Sequence, residues 1–127
     1  MKRENNLYHN IYQIENIINI YSNQVRLNTK NKRKIEKFED YLVENLVLIK
    51  TILEERKYSP QNYNIFMVKE PKARIIMSQT IQDKIINHIV SKYCLLSVFE
   101  KKLIDSNVAT RKNKGTKYGI ELTKKYL

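Results

Sequence analysis

Lys72 and Arg74 stand in the stretch KEPKARII, residues 69–76, where a proline separates a glutamate from the first of these cations. Two positive side chains beside a turn can neutralise an anion, and a guanidinium can grip two oxygens of one phosphate in parallel. Two further basic groups exist. Lys30, Lys32, Arg33 and Lys34 fall in RLNTKNKRK, which contains no acid, and Arg111, Lys112, Lys114 and Lys117 fall near the C-terminus. Clusters of this kind suit phosphate backbones, whose neutralisation releases counterions. On the residues alone, a solvated basic linker and a phosphate-contacting loop stand side by side for residues 30–34. The same holds for Lys72 and Arg74, between a solvated hairpin tip and an anion contact.

Other chemistries find no constellation. Glu39-Asp40 and Glu54-Glu55 are adjacent pairs, and neighbours on a helix point about 100° apart, so neither pair can serve one site. No Gly-rich phosphate loop, His/Cys cluster or Ser-His-Asp spacing is present. His88 falls on an apolar helical face and reads as a satisfied, partly buried histidine rather than a ligand. The single cysteine, Cys94, excludes an internal disulfide and a Cys-based zinc site. It lies among Tyr93, Leu95 and Leu96 and reads as a buried, inert thiol. No catalytic and no metal-binding residue is expected in this chain.

The 127 residues suit one small domain, and 24 Lys and Arg against 13 Asp and Glu give a net charge of +11. That excess favours an anionic partner, nucleic acid first. Abundant Asn, Ile, Lys and Tyr can also follow from an A/T-rich coding sequence, so clustering matters more than the total. No apolar run reaches the roughly 18 residues of a membrane span, and MKRENNLYHN has no signal-peptide core. The expectation is a cytoplasmic chain with no membrane partner.

Positioning these cations calls for an α+β fold, mostly helical, with a β-hairpin. Leu7, Ile11, Ile14, Ile18, Tyr21 and Val25 form a helical stripe over 6–25. Ile35, Phe38, Leu42, Leu46, Ile49 and Leu53 predict one helix over about 33–57, stopped before Pro60. YNIFMVK and ARIIMS then alternate like strands and predict a hairpin over 63–78, with Glu70, Pro71 and Lys72 at its turn. Thr80 can cap the following helix, with Asp83 in its first turn. Residues from about 116 onward are helical again. The organisation expected is a helical region over 1–57, then a hairpin-plus-helix region over 58–127.

The order of segments is more telling than any one of them. Tyr63, Phe66, Val68, Glu70, Pro71, Lys72, Arg74 and Ile76 follow Y-x-x-F-x-V-x-E-P-K-x-R-x-I. Asp83, Ile85 and His88, then Phe99 and Glu100, then Asp105, Ser106, Ala109, Arg111, Lys114, Gly115 and Thr116 continue the series. This ordered set resembles the N-terminal fingers region of bacterial reverse transcriptases, closest to those of diversity-generating retroelements, then retron and group II intron enzymes. Lys84 stands where the family usually has arginine, and Asn107 where it has tyrosine.

The resemblance implies the fingers part of a right-hand polymerase fold with its palm missing. It implies a parent RNA-directed DNA polymerase that uses an RNA template, a DNA primer, deoxynucleoside triphosphates and Mg²⁺. In such enzymes the catalytic aspartates lie beyond the position of Leu127, and Asp105 is no substitute, since it belongs to the DSNVATR match. The chain would then be the start of a longer polymerase and inactive by itself. Lys72 and Arg74 would meet the triphosphate. Arg111 and Lys114 would support fingers packing or the template strand, and Lys32, Arg33 and Lys34 the RNA backbone. Two alternatives remain beside it: a complete small basic nucleic-acid-binding protein without enzyme activity, and a helical interaction module.

Overall fold

The computed structural model describes residues 4–126. Its elements are a 3₁₀ turn Leu7–Asn10, α1 Ile14–Ile20, a π-turn Tyr21–Val25, α2 Arg26–Asn28, α3 Lys32–Glu39, α4 Leu42–Glu54, β1 Asn64–Val68, β2 Arg74–Ser78, α5 Ile81–Val90, a second π-turn Ser91–Leu95, α6 Leu96–Phe99 and α7 Thr116–Tyr126. The fold is therefore helical with one antiparallel hairpin, an α+β arrangement. It divides into two compact units, one up to Leu96 and one from Ser97. Among the described residues, no helix is long and apolar enough to cross a membrane.

In the first unit, α1, α3, α4 and α5 pack around one core. Ile17, Ile20, Ile49, Ile85 and Ile89 are fully buried there, joined by Tyr21, Val25, Ile35, Leu46, Leu53, Ile81 and Ile86. Burying one such side chain contributes about 1.5–3 kcal/mol, so this cluster dominates the unit's stability.

The first helix differs from expectation. Gln13 is extended (φ −68°, ψ 127°), so the helix restarts at Ile14 with a new phase. Ile18 is 46 % exposed, and Ile17, Tyr21 and Val25 form the buried line instead. A step of four residues overshoots an α-turn of 3.6. The π-turn at Tyr21–Val25, with its wider i→i+5 closure, absorbs that overshoot.

The second helix is two. Tyr41 leaves helical space (φ −130°, ψ 45°) and separates α3 from α4, while Asn45 Nδ2 donates to Phe38 O across the break at 3.0 Å. The stripe survives, because Ile35, Leu46, Ile49 and Leu53 are buried with Phe38 and Leu42 half-buried. α4 ends through Arg56 in left-handed conformation (φ 57°), with Lys57 N donating to Ile52 O at 3.0 Å. With only two glycines, both near the C-terminus, such turns fall on other residues.

The basic linker also contracts. Only residues 29–31 leave helical structure, and Lys32, Arg33 and Lys34 form the first turn of α3, with the Asn31 side chain accepting from Lys34 N at 3.3 Å. The hairpin lies where the alternation put it. Asn64 pairs with Ser78 and Val68 with Arg74, so five residues, 69–73, form its loop rather than three. Thr80 caps α5 as its position predicts, its Oγ1 accepting from Asp83 N at 3.2 Å. His88, expected on the apolar face, is exposed, and Ile86 takes the core position. The α5 core line is Ile81, Ile85, Ile86 and Ile89, which rotates position 88 outward.

The second unit holds α7, where Gly119 has a packing role. A Cβ there would lie 3.2 Å from Val108 Cγ2, a tight contact that the Val108 side chain would have to yield to.

The burial pattern separates two kinds of isoleucine. Ile49→Ala and Ile85→Ala should each cost about 2–5 kcal/mol in urea unfolding. Ile65→Ala and Ile75→Ala, on the exposed hairpin, should stay within about 0.5 kcal/mol.

Candidate nucleic-acid interface

The hairpin carries apolar residues on both faces, and both faces are exposed. Phe66, Val68 and Ile76 share one face with Arg74, while Ile65, Met67, Ile75 and Met77 share the other. Ile65 is 64 % and Ile75 65 % exposed. An isolated two-stranded hairpin has no core of its own and is marginal in water. Its position must be set at its root.

That root is built on Asp83, a carboxylate only 3 % exposed in the first turn of α5. Its Oδ1 accepts from Tyr58 Oη at 2.9 Å and its Oδ2 from the Gln61 backbone N–H at 3.1 Å. A buried carboxylate must be paired in this way, and a helix N-terminus favours it further. The segment leading into β1 is thereby tied to the same helix that receives the chain after β2. Burial first, then the Asp83 hydrogen bond, pushes the Tyr58 phenol up to about 12. The S/T-x-x-D spacing of Thr80 and Asp83 shows the cap, but the sequence gives no sign of the partners Tyr58 and Gln61.

At the far end of the hairpin, Lys72 lies in the loop and Arg74 opens β2 opposite Val68. Both are exposed, and neither side chain has an ion-pair or hydrogen-bond partner among the described residues. Lys69 is likewise unpartnered, and Glu70 is the one acid of the loop.

Lys32 and Arg33 are exposed and Lys34 half-buried, in a helical turn with no acid. Cations there oppose the positive end of the helix dipole, at about 0.3–1 kcal/mol each at low ionic strength. They concentrate positive potential that the helix does not neutralise. Further along, Glu39 Oε1 is taken by Arg26 Nε at 2.6 Å and by Tyr21 Oη at 2.8 Å, which fastens the α1–α2 run to α3. Burial, then the Glu39 bond, raises the Tyr21 phenol to about 12.

Arg111 and Lys114 have different surroundings. Within the second unit, Arg111 pairs with Glu100 at 2.9 Å and donates to Ile104 O and Asn107 O. Lys114 pairs with Asp105 Oδ1 and donates to Asp105 O at 2.9 Å, while Tyr118 Oη donates to Asp105 Oδ2 at 2.8 Å. Their side chains are only 12 % and 16 % exposed. The Lys114 bond, then that of Tyr118, holds the Asp105 carboxyl below its usual range. These two cations fasten the 100–118 segment, and Thr110 and Asn113, both left-handed, turn the chain around Arg111.

Cys94 is half-buried, its Sγ donates to Leu7 O at 3.8 Å, and burial pushes its thiol up, away from a nucleophilic thiolate. Among the described residues, no three His, Cys, Asp or Glu side chains gather to hold a metal ion. No protein-family model matches the chain, and no curated protein matches it.

The Tyr58–Asp83 bond has a pH signature. A phenol whose folded pKa is raised gives stability that is complete below the usual value of 10.0 and is lost as pH rises through about 12. In an ultraviolet titration of the folded chain, Tyr58 and Tyr21 should ionise last. Asp83→Asn should lower the Tyr58 pKa while leaving it above the usual value, because burial is the larger cause. An unchanged Tyr58 titration would mean that this bond does not form.

Proposed function

We propose that the chain is the fingers-like N-terminal part of an RNA-directed DNA polymerase. In this reading the hairpin meets the incoming deoxynucleoside triphosphate and the helical body meets the RNA template. The observation that carries it is the state of Lys72 and Arg74: exposed, unpartnered, and held at the loop end of a hairpin whose root is fixed. Cations placed in advance stabilise charge on a transferring phosphoryl group without reorganising during the reaction. Lys72 supplies a compact charge, and Arg74 a planar fork for two phosphate oxygens.

The resemblance of KEPKARII and the segments after it supports the same reading. Lys32, Arg33 and Lys34 serve as RNA-backbone contacts. Arg111 and Lys114 act through packing of their own segment, which leaves template contact there to exposed neighbours such as Lys112 and Lys117. The metal-binding carboxylates and Mg²⁺ belong to the palm, so this chain alone does not extend a primer. A cytoplasmic setting goes with this reading. The second reading, a small basic nucleic-acid-binding protein without enzyme activity, draws on α3, whose cations need no polymerase to hold a phosphate backbone.

Two measurements test these readings. The chain should bind RNA with an affinity that falls steeply with salt. Replacing Lys32, Arg33 and Lys34 by alanine should flatten the slope by about one for each phosphate no longer neutralised. No RNA binding at low ionic strength defeats both readings. In the complete polymerase, Lys72→Ala and Arg74→Ala should each lower kcat/KM for nucleotides roughly ten- to a hundredfold, with template-primer affinity nearly level. Arg74→Lys should recover part of the loss. Unaltered nucleotide kinetics in both alanine variants would leave only the second reading.

A further inference from the structure

A cleft of about 430 Å³ opens beside the hairpin root, lined by Lys34, Lys37, Phe38, Gln61, Thr80 and Gln82, with Asn64 of β1 also on its wall. Ligand pockets run from roughly 300 to 1,000 Å³. We propose that this cleft holds one unpaired base of an RNA strand, an assignment that rests on the nucleic-acid reading above.

The cleft has the three parts such a site requires. Phe38 supplies an apolar wall, and its ring is also fixed against Tyr21, with centroids 5.3 Å apart. Aromatic surfaces of this kind accept the face of any base. Lys34 and Lys37 lie three apart on α3 and so share a helical face, where both can meet a phosphate. No acid lines the cleft to compete for them.

The third part is a polar edge. Gln61 Nε2 donates to Gln82 Oε1 at 3.1 Å. That bond leaves the Gln61 side-chain carbonyl as an acceptor and the Gln82 amide NH₂ as a donor, on two side chains bonded to each other. Were both amides turned over, the pair would still present one donor and one acceptor. Every nucleobase carries an adjacent donor and acceptor on its pairing edge, and in a duplex that edge is occupied. Single-stranded bases are recognised along this edge. The glutamine pair therefore selects for unpaired over paired bases rather than for one base.

The backbone beneath the glutamine pair is anchored. Gln61 is pinned through its backbone N–H to Asp83, and Gln82 precedes Asp83 in the first turn of α5. Asn64 opens β1, so an occupied cleft touches the base of the hairpin.

The test uses the purified chain with an unstructured, labelled RNA decamer and with the blunt duplex of the same sequence. Gln61 and Gln82 lie outside the core, and a thermal melt checks that their variants stay folded. Gln61→Ala/Gln82→Ala should weaken single-strand binding about two- to tenfold, leave duplex binding near parental, and keep the salt slope. Lys34→Ala/Lys37→Ala should flatten the salt slope for both ligands. If the parental chain binds RNA and the glutamine variant keeps its single-strand preference, this assignment falls while the functional reading stands. If the parental chain binds neither RNA at low salt, both fall.

Discussion

The Asp83 carboxylate is the constraint on which the rest of this architecture depends. It is a carboxylate shielded from water, and Tyr58 Oη and the Gln61 backbone N–H meet its two oxygens in the first turn of α5. Leaving one such group unsatisfied costs about 1–3 kcal/mol, and more for a charge. The same carboxylate decides where β1 begins. Residues 55–63 contain no regular element that could direct the chain, and two hydrogen bonds to one side chain replace it.

This local anchoring explains how the hairpin can be apolar on both faces and still have a defined origin. A sheet that buried Ile65, Met67, Ile75 and Met77 would gain area but lose its exposed turn. Here the stabilising area lies in the helices, among Ile17, Ile49, Ile85 and Ile89. The hairpin contributes its own ladder and little else. The stabilising core and the exposed hairpin cations thus lie on different segments, joined at Asp83. Such a division suits a part that must meet a ligand, since recognition residues sit on a rigid support rather than inside it.

Much of the fold was legible because periodicity is a local property. The Ile35-to-Leu53 stripe, the 63–78 hairpin and the Thr80 cap all depend on residues a few positions apart. The misses share a different cause. The break at Tyr41 carries no Gly or Pro, and Gln13 turns the chain without either. A π-turn changes the helical repeat without changing composition, so Ile18 looked like core and Ile17 did not. His88 went the same way when Ile86 filled the space. Of the candidate site, the cations of α3 and the hairpin were visible as charge runs. The partners of Arg111 and Lys114 were not, because Glu100 and Asp105 lie 11 and 9 residues away through aperiodic chain.

Those partners also change what the net charge means. Arg26, Arg111 and Lys114 are committed to Glu39, Glu100 and Asp105, and each pair joins segments of its own unit. Such cations help to fold the chain and offer little to a ligand. Charge without such a partner lies on Lys30, Lys32, Arg33 and Lys34, on Lys69, Lys72 and Arg74, and on exposed residues such as Lys112 and Lys117. A coding bias toward lysine would scatter surplus charge without regard to place. It does not account for a helix that begins with three cations against its own dipole, nor for a hairpin loop whose cations outnumber its single acid. Like charges brought together this closely repel one another at low ionic strength, and an anion bound among them removes that repulsion. The surplus is gathered at the start of α3 and at the hairpin tip rather than scattered. The cleft at the hairpin root takes its lysines from α3 and its polar edge from Gln61, in the segment that Asp83 fixes, and from Gln82 of α5.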